Sequence, residues 1–302
     1  MEKVIIIGAG PAGISAALYA VRGNLDPLVI NNGIGALEKA EKIENYYGLE
    51  HPLSGQELYD TGIAQAKALG VRILDAQVLG VGGFDTFVVK TTEGEFETQS
   101  LILATGSKRT APKIPGVKEF EGKGVSYCAI CDAFFYRGKA VAVLGNGDFA
   151  MHEAKELSNT ASTVTIYTNG EEPEFTPEEN ISVNTMKIQS VEGDDLVSGI
   201  RLAPDVQAQE INGEAGQQAN DFCPAEGVFI AMGTAGSTEI ARQMGAELTE
   251  KGNIKVNENM ETTIPGLYAA GDCTGGLLQV AKAVYEGAQA EVCKIFKIKN
   301  LK

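Results

Sequence analysis

Lys3-Val4-Ile5-Ile6-Ile7-Gly8-Ala9-Gly10-Pro11-Ala12-Gly13 is the stretch that decides the fold. Its apolar run, Val4 to Ile7, has the signature of a strand buried on both faces of a parallel sheet. The Ala-rich segment Ile14 to Arg22 behind it reads as a helix. Strand, glycine turn and helix in that order turn a bare GxGxxG match into a dinucleotide fingerprint. The glycines permit a tight turn and a close approach of backbone N–H groups to a pyrophosphate, which the helix N-terminus then stabilises. The next strand, Pro27 to Ile30, ends at Asn31-Asn32. An acid usually stands there to accept a ribose 2′-OH. Glu38 and backbone groups are both available as substitutes, and the sequence does not choose between them.

The same plan recurs further on. Lys139 to Leu144 is a second apolar strand, followed by Gly145-Asn146-Gly147-Asp148-Phe149-Ala150, a helix through Leu157 and a strand Thr163 to Tyr167. Leu101 to Gly106 and Gly227 to Gly233 are matching return strands, so the chain carries two copies of one nucleotide fold. Residues 74 to 106 hold a small antiparallel insertion, with Phe84 to Lys90 and Glu95 to Glu97 forming a hairpin about Thr91 to Gly94. A charged, strand-poor stretch with turns near Gly193 and Gly213 lies in the second copy. Pro112, Pro115-Gly116 and Gly233 to Gly236 punctuate two domain crossings. The segment Ile264 to Asp272 is a strand ending in a Gly-Asp pair, and a helix runs from about Gln279 to Lys297. The expected fold is α/β, with two Rossmann-like three-layer domains of the FAD/NAD(P)-binding type. The first is discontinuous, residues 1–111 and 237–302, and the second spans 116–233.

Bulk properties agree with that plan. A chain of 302 residues exceeds one comfortable core, and 44% hydrophobic with 22% charged residues describes a globular protein. A formal charge of −15 argues against nucleic acid and against an anionic membrane as partners. Val4 to Ala20 mimics a signal peptide, but its glycines already have an explanation, and no other run nears the roughly 18 apolar residues of a membrane span. The expected location is the cytoplasm. Five cysteines, an odd number, do not resemble a secreted disulfide framework.

Chemistry concentrates in Tyr127-Cys128-Ala129-Ile130-Cys131-Asp132-Ala133-Phe134. Two cysteines two residues apart can close a reducible disulfide or form half of a zinc site. Cys223, Cys273 and Cys293 are scattered, the histidines are His51 and His152, and no second ligand pair exists. A redox dithiol is therefore expected, with Asp132 able to hand protons to and from a thiolate. The scattered cysteines are read as core or surface thiols.

Together these motifs resemble the low-molecular-weight thioredoxin reductases over essentially the whole chain. The likeness rests on Gly8 to Gly13, Glu44-Asn45-Tyr46-Tyr47-Gly48, Ala104-Thr105-Gly106, Cys128 to Asp132 and Gly271-Asp272. It implies FAD in the discontinuous domain, held by Gly8, Gly10, Pro11, Ala12, Gly13, Asn45, Ala104, Thr105, Gly106, Gly271, Asp272 and Gln279. It also implies that Cys131 lies nearest the flavin, that Cys128 attacks the partner disulfide, that Asp132 is the acid/base, and that the chain forms a homodimer. Reduced flavin would pass electrons to the dithiol, and the freed thiolate would exchange with a thioredoxin disulfide. Meeting the flavin at one moment and a bulky protein at another calls for domain rotation about the two crossings.

One place departs from the NADPH-using members, which grip the 2′-phosphate with basic residues after the second strand of the second fold. Here Tyr167-Thr168-Asn169-Gly170-Glu171-Glu172 offers two carboxylates and no positive charge. Phe149 is expected to crowd the glycine loop, where the family carries a small residue. The chain thus resembles the pyridine-nucleotide-independent branch, the ferredoxin-linked flavin thioredoxin reductases, which implies ferredoxin as electron donor. Lys282, Lys294, Lys297, Lys299 and Lys302 form either a local basic surface for it or a solvated helix and tail. Two other readings stand: an NAD(P)H-dependent thioredoxin reductase, and a flavoprotein whose dithiol acts as a redox sensor.

Overall fold

The computed structural model describes residues 1–83, 85–106, 112–127, 129–204, 221–232 and 236–300, the side chains of 130, 131 and 293–300 excepted. The chain divides into two compact units, Met1–Arg109 with Ala235–Lys302, and Thr110–Thr234.

The first unit starts with β1 (Val4–Ile7), α1 (Pro11–Arg22), β2 (Pro27–Asn31), α2 (Gly55–Ala68) and β3 (Arg72–Asp75). Val4, Ile5 and Ile6 are 0% exposed, as a strand covered on both faces requires. Each such side chain contributes roughly 1.5–3 kcal/mol on leaving water. α2 begins with a capping box: the Glu57 N–H donates to Ser54 Oγ, and the Ser54 N–H donates to the Glu57 carboxylate. A three-stranded antiparallel meander follows, β4 (Val78–Gly82), β5 (Phe87–Thr91) and β6 (Gly94–Thr98), and then β7 (Leu101–Leu103). The expected hairpin is thus β5–β6, extended by β4. Phe84, assigned to it from sequence, lies outside the described residues.

The second unit contains β8 (Val125–Ser126), α3 (Ala129–Asp132), β9 (Ala140–Leu144), α4 (Asp148–Ser158) and β10 (Thr163–Tyr167). Its sheet continues with β11 (Ser182–Asn184), and β12 (Ile188–Gly193), β13 (Val197–Leu202) and β14 (Phe222–Pro224) form a separate antiparallel sheet before β15 (Gly227–Ile230). This corrects the strand-poor expectation for the stretch around Gly193. Val191, Val197, Ile200 and Leu202 supply a buried face that the surrounding charges masked in the sequence. Gly213 and Gly233–Ala235 lie outside the described residues.

The chain returns to the first unit with α5 (Ser237–Gln243), β16 (Leu267–Ala269) and α6 (Val280–Asn300). Each unit has a five-stranded, wholly parallel sheet: β16-β7-β1-β2-β3 in the first and β11-β10-β9-β15-β8 in the second. α6 packs on α1, where Ser15 Oγ donates to the Val284 carbonyl at 2.7 Å. In each sheet the glycine turn follows the C-terminal end of a central strand, where ligands bind in open α/β sheets. Among the described residues no helix is long and apolar enough to cross a membrane.

Candidate active site

The two glycine turns are built alike. The Gly8 N–H donates to the Ile30 carbonyl and the Ala104 N–H to the Ile7 carbonyl; in the second copy Gly145 pairs with Tyr167 and Ala231 with Leu144 in the same way. A methyl group placed on Gly8 would lie 2.4 Å from the Ala104 oxygen, and one on Gly145 2.3 Å from the Ala231 oxygen. Gly8 also holds φ +108°, a conformation in which side chains are strained. A methyl on Gly13 would meet the Gly8 oxygen at 1.8 Å, so the third glycine is required for packing of helix on turn. Gly10 differs: a methyl there meets nothing within 4 Å.

That open side is where a pyrophosphate fits. α1 has Pro11 in its first turn, no side-chain cap and no acidic residue there, so its N-terminal N–H groups and dipole are presented uncovered. These residues fit the phosphates of a dinucleotide such as FAD.

Several of the other expected cofactor residues are joined by hydrogen bonds. Asn45 Nδ2 donates to Gln279 Oε1 at 3.0 Å across 234 positions of sequence. Thr105 is tied to the start of α5: its N–H donates to Ser237 Oγ at 3.1 Å, and the Ser237 N–H donates to Thr105 Oγ1 at 2.8 Å. Ala104 is buried and Gly106 takes φ +86°. Gly271 adopts φ +88° and ψ −152°, a region essentially reserved for glycine. Its N–H donates to Glu286 Oε2 at 2.8 Å, and Lys282 Nζ donates to its carbonyl at 2.7 Å. Lys282 and Glu286 pair at 3.0 Å and share Thr274 Oγ1, forming a clamp on the Gly271-Asp272 turn. Burial pushes the Asp272 carboxyl above the ordinary carboxylate range, with Lys282 drawing it back. The thiol of the neighbouring Cys273 is pushed up to about 12 by burial, which makes it an inert core thiol.

Lys282 is thereby removed from the basic surface expected from sequence: its side chain is 15% exposed and committed to this clamp. Lys294, Lys297, Lys299 and Lys302, and Cys293, have side chains outside the described residues.

At the dithiol, Cys128 and the side chain of Cys131 lie outside the described residues. Asp132, at the end of α3, accepts a hydrogen bond on Oδ2 from Ser126 Oγ at 2.6 Å, and Ser126 is buried. The Ala129 N–H, between the two cysteines in sequence, donates to Glu153 Oε2 at 2.6 Å. Glu153 is 1% exposed. Sequence reading missed this carboxylate. Its signal was positional: Glu153 sits four residues after Phe149 and four before Leu157, on a helix face otherwise apolar and buried. Two and three residues after Asp132, Phe134 and Phe135 are 74% and 68% exposed and meet edge to face at 6.3 Å.

Two features of the second glycine turn correct the expectation. Phe149 is 0% exposed and belongs to the buried face of α4, and a methyl on Gly147 meets nothing within 4 Å. Phe149 does not fill the open side of the turn. The end of β10 also has a lysine for a neighbour: the Lys187 stem lies 3.7 Å from where a Gly170 side chain would begin. Lys187 adjoins β12 and comes close through pairing that local sequence cannot reveal. Glu171 and Glu172 are exposed, and beyond them the Glu174 N–H donates to the Asn146 carbonyl at 2.7 Å. The segment after β10 is thus tied back onto the glycine turn.

Comparison with known proteins agrees with this architecture. The family model described as pyridine nucleotide-disulphide oxidoreductase matches residues 2–287. The thioredoxin reductase of Aquifex aeolicus is 37% identical over 89% of this chain and 84% of its own length. Among solved structures, the atypical thioredoxin reductase of Desulfovibrio vulgaris Hildenborough is similar at a TM-score of 0.86 and 39% identity, with 99% of each chain covered. A ferredoxin-flavin thioredoxin reductase of Clostridium acetobutylicum gives 0.68 and 29% identity, over 99% of this chain and 98% of that one. With the paired nucleotide folds and the CxxC stretch, these matches place the chain in the thioredoxin reductase family of pyridine nucleotide-disulphide oxidoreductases, FAD-dependent enzymes acting on a disulfide.

Proposed function

We propose that this chain reduces thioredoxin through Cys128 and Cys131 and that its flavin is charged by reduced ferredoxin rather than by NAD(P)H. The observation that carries the donor reading is the segment after β10. The exposed carboxylates of Glu171 and Glu172 stand where a 2′-phosphate would be gripped, with the stem of Lys187 close to Gly170. The Glu174–Asn146 hydrogen bond links that segment to the turn that a pyrophosphate would approach. Likeness to the ferredoxin-flavin enzyme of Clostridium acetobutylicum supports the same reading. The open side of Gly147 favours the alternative, in which a nicotinamide nucleotide enters the second fold without crowding from Phe149.

FAD, when bound, accepts electrons and delivers a pair to a disulfide. The chain supplies the rest. Cys128 attacks the thioredoxin disulfide and Cys131 resolves the mixed disulfide. Asp132, which follows Cys131 in sequence and is oriented by Ser126, is the acid/base. Phe134 and Phe135 offer an exposed apolar pair next to the dithiol for a protein partner to cover. Steady-state assays test this reading. Thioredoxin reduction should proceed with ferredoxin as donor and stop in both Cys128→Ser and Cys131→Ser, and Phe134→Ala should raise KM for thioredoxin with folding unchanged. Parent-rate turnover in either cysteine variant would refute the dithiol assignment. A dithiol that is reduced yet never turns over thioredoxin would mark a sensor instead.

A further inference from the structure

The strand that normally ends in a ribose-binding acid ends here in an amide, and the structure supplies a carboxylate from the strand beside it. β2 and β3 are parallel neighbours, and Asn31 is the register partner of Asp75 at their C-terminal ends. Asn31 Nδ2 donates to Asp75 Oδ1 at 2.6 Å. Asn31 Oδ1 accepts from Tyr59 Oη, on α2, at 2.8 Å. The two bonds fix the amide's orientation, because the reverse would set its carbonyl against a carboxylate. The Asn31 carbonyl is occupied too, by the Ala76 N–H at 2.9 Å. Asn31 Oδ1 and the Asn31 carbonyl thus each already accept one hydrogen bond from the protein.

Asp75 is in the opposite position. It is exposed, one oxygen is held by Asn31, and Oδ2 makes no hydrogen bond among the described residues. An ionised carboxylate accepts at about four lone-pair sites, so one amide leaves most of its capacity unused. Its place is specific as well. The pyrophosphate turn follows β1, β2 is next in the sheet, and β3 comes after it. A dinucleotide laid from the β1 turn across the strand ends carries its ribose past β2. Glu38, the sequence-level substitute, is exposed on the 3-10 turn Gly35–Lys39.

We propose that Asp75, presented by Asn31 and Tyr59, is the carboxylate that accepts hydrogen bonds from the ribose hydroxyls of the FAD adenosine. The acid has moved one strand along the sheet, and Asn31 has become a positioning residue. A polar residue still occupies the end of β2, but as a donor that aims its neighbour.

The test compares two ligands on the full-length chain, FAD and an FAD whose adenosine lacks the 2′ and 3′ hydroxyls, with binding read from flavin fluorescence. The parent should prefer FAD by about 10-fold or more, the loss expected for a hydrogen bond to a charged group. Asp75→Ala should bind FAD about 10-fold more weakly and show no preference between the ligands. Asn31→Ala should fall between the two. Should Asp75→Ala fail to fold, Asp75→Asn keeps the side-chain shape and the Asn31 contact, and its preference for FAD should shrink. A parent-like preference in Asp75→Ala or Asp75→Asn overturns the proposal, as does a preference lost in Glu38→Ala instead. Absence of FAD binding in the parent would refute the cofactor itself.

Discussion

Three glycines in the first turn have three different reasons to be glycine, and substitution separates them. Gly10→Val adds a side chain into open space, so the chain should fold with near-parent stability and lose flavin, because the backbone can no longer approach a pyrophosphate. Gly13→Ala drives a methyl into the Gly8 carbonyl and should cost about 1–3 kcal/mol of stability as well. Denaturant unfolding together with the flavin-to-protein absorbance ratio distinguishes them; flavin-replete Gly10→Val would contradict the cradle. Asp272 makes a pH-dependent prediction. Its carboxyl is raised above the ordinary 3.8 by burial, so the folded chain holds this proton to higher pH than the unfolded chain does. Ionisation therefore costs stability as pH rises through that window, and the cost is complete above the folded value. In the flavin-free protein Asp272→Asn should melt higher than the parent at pH 7, with the gap closing below about pH 4. A gap that widens on acidification would refute the burial argument.

At the scale of elements, α4 shows how a locally sound reading goes astray. Phe149 was expected to obstruct the second glycine turn because sequence places it there. The helix period, however, puts it on one face with Ala150, Glu153, Ala154 and Leu157, all buried. Phe149→Ala should behave as a core deletion costing about 3–5 kcal/mol, without opening the flavin to reduction by NADPH. A fully stable variant that gained NADPH-dependent flavin reduction would restore the steric reading. The strand–glycine–helix units were legible because their signals are local: an apolar run, a turn residue and a periodic face. The strands around Gly193 were hidden by charges on their outer face. Lys187, Asp75 and Glu153 were invisible for a different reason. Each gains its neighbour through strand register or helix packing, which joins residues far apart in sequence. The Asn45–Gln279 pair shows the same limit, since both residues were carried over from a family likeness and only the fold shows that they touch.

For the molecule as a whole, the two copies of the nucleotide fold have kept one architecture while diverging in what they present. The first has an uncovered α1 N-terminus, the clamped Gly271-Asp272 turn and the Asn31–Asp75 pair at the ends of β2 and β3. The second has an open turn at Gly147 but two carboxylates and a tied-back segment after β10. Lost contacts to a 2′-phosphate are each worth about 1.5–3 kcal/mol, so losing two lowers affinity roughly 100-fold or more. Which donor charges the flavin is the central claim, and stopped-flow bleaching of the flavin under argon tests it most directly. Reduced ferredoxin should bleach the flavin fast enough to support turnover, and millimolar NADPH or NADH should leave it oxidised over the same interval. Rapid bleaching by NADPH would contradict the donor assignment while leaving the flavin and dithiol in place.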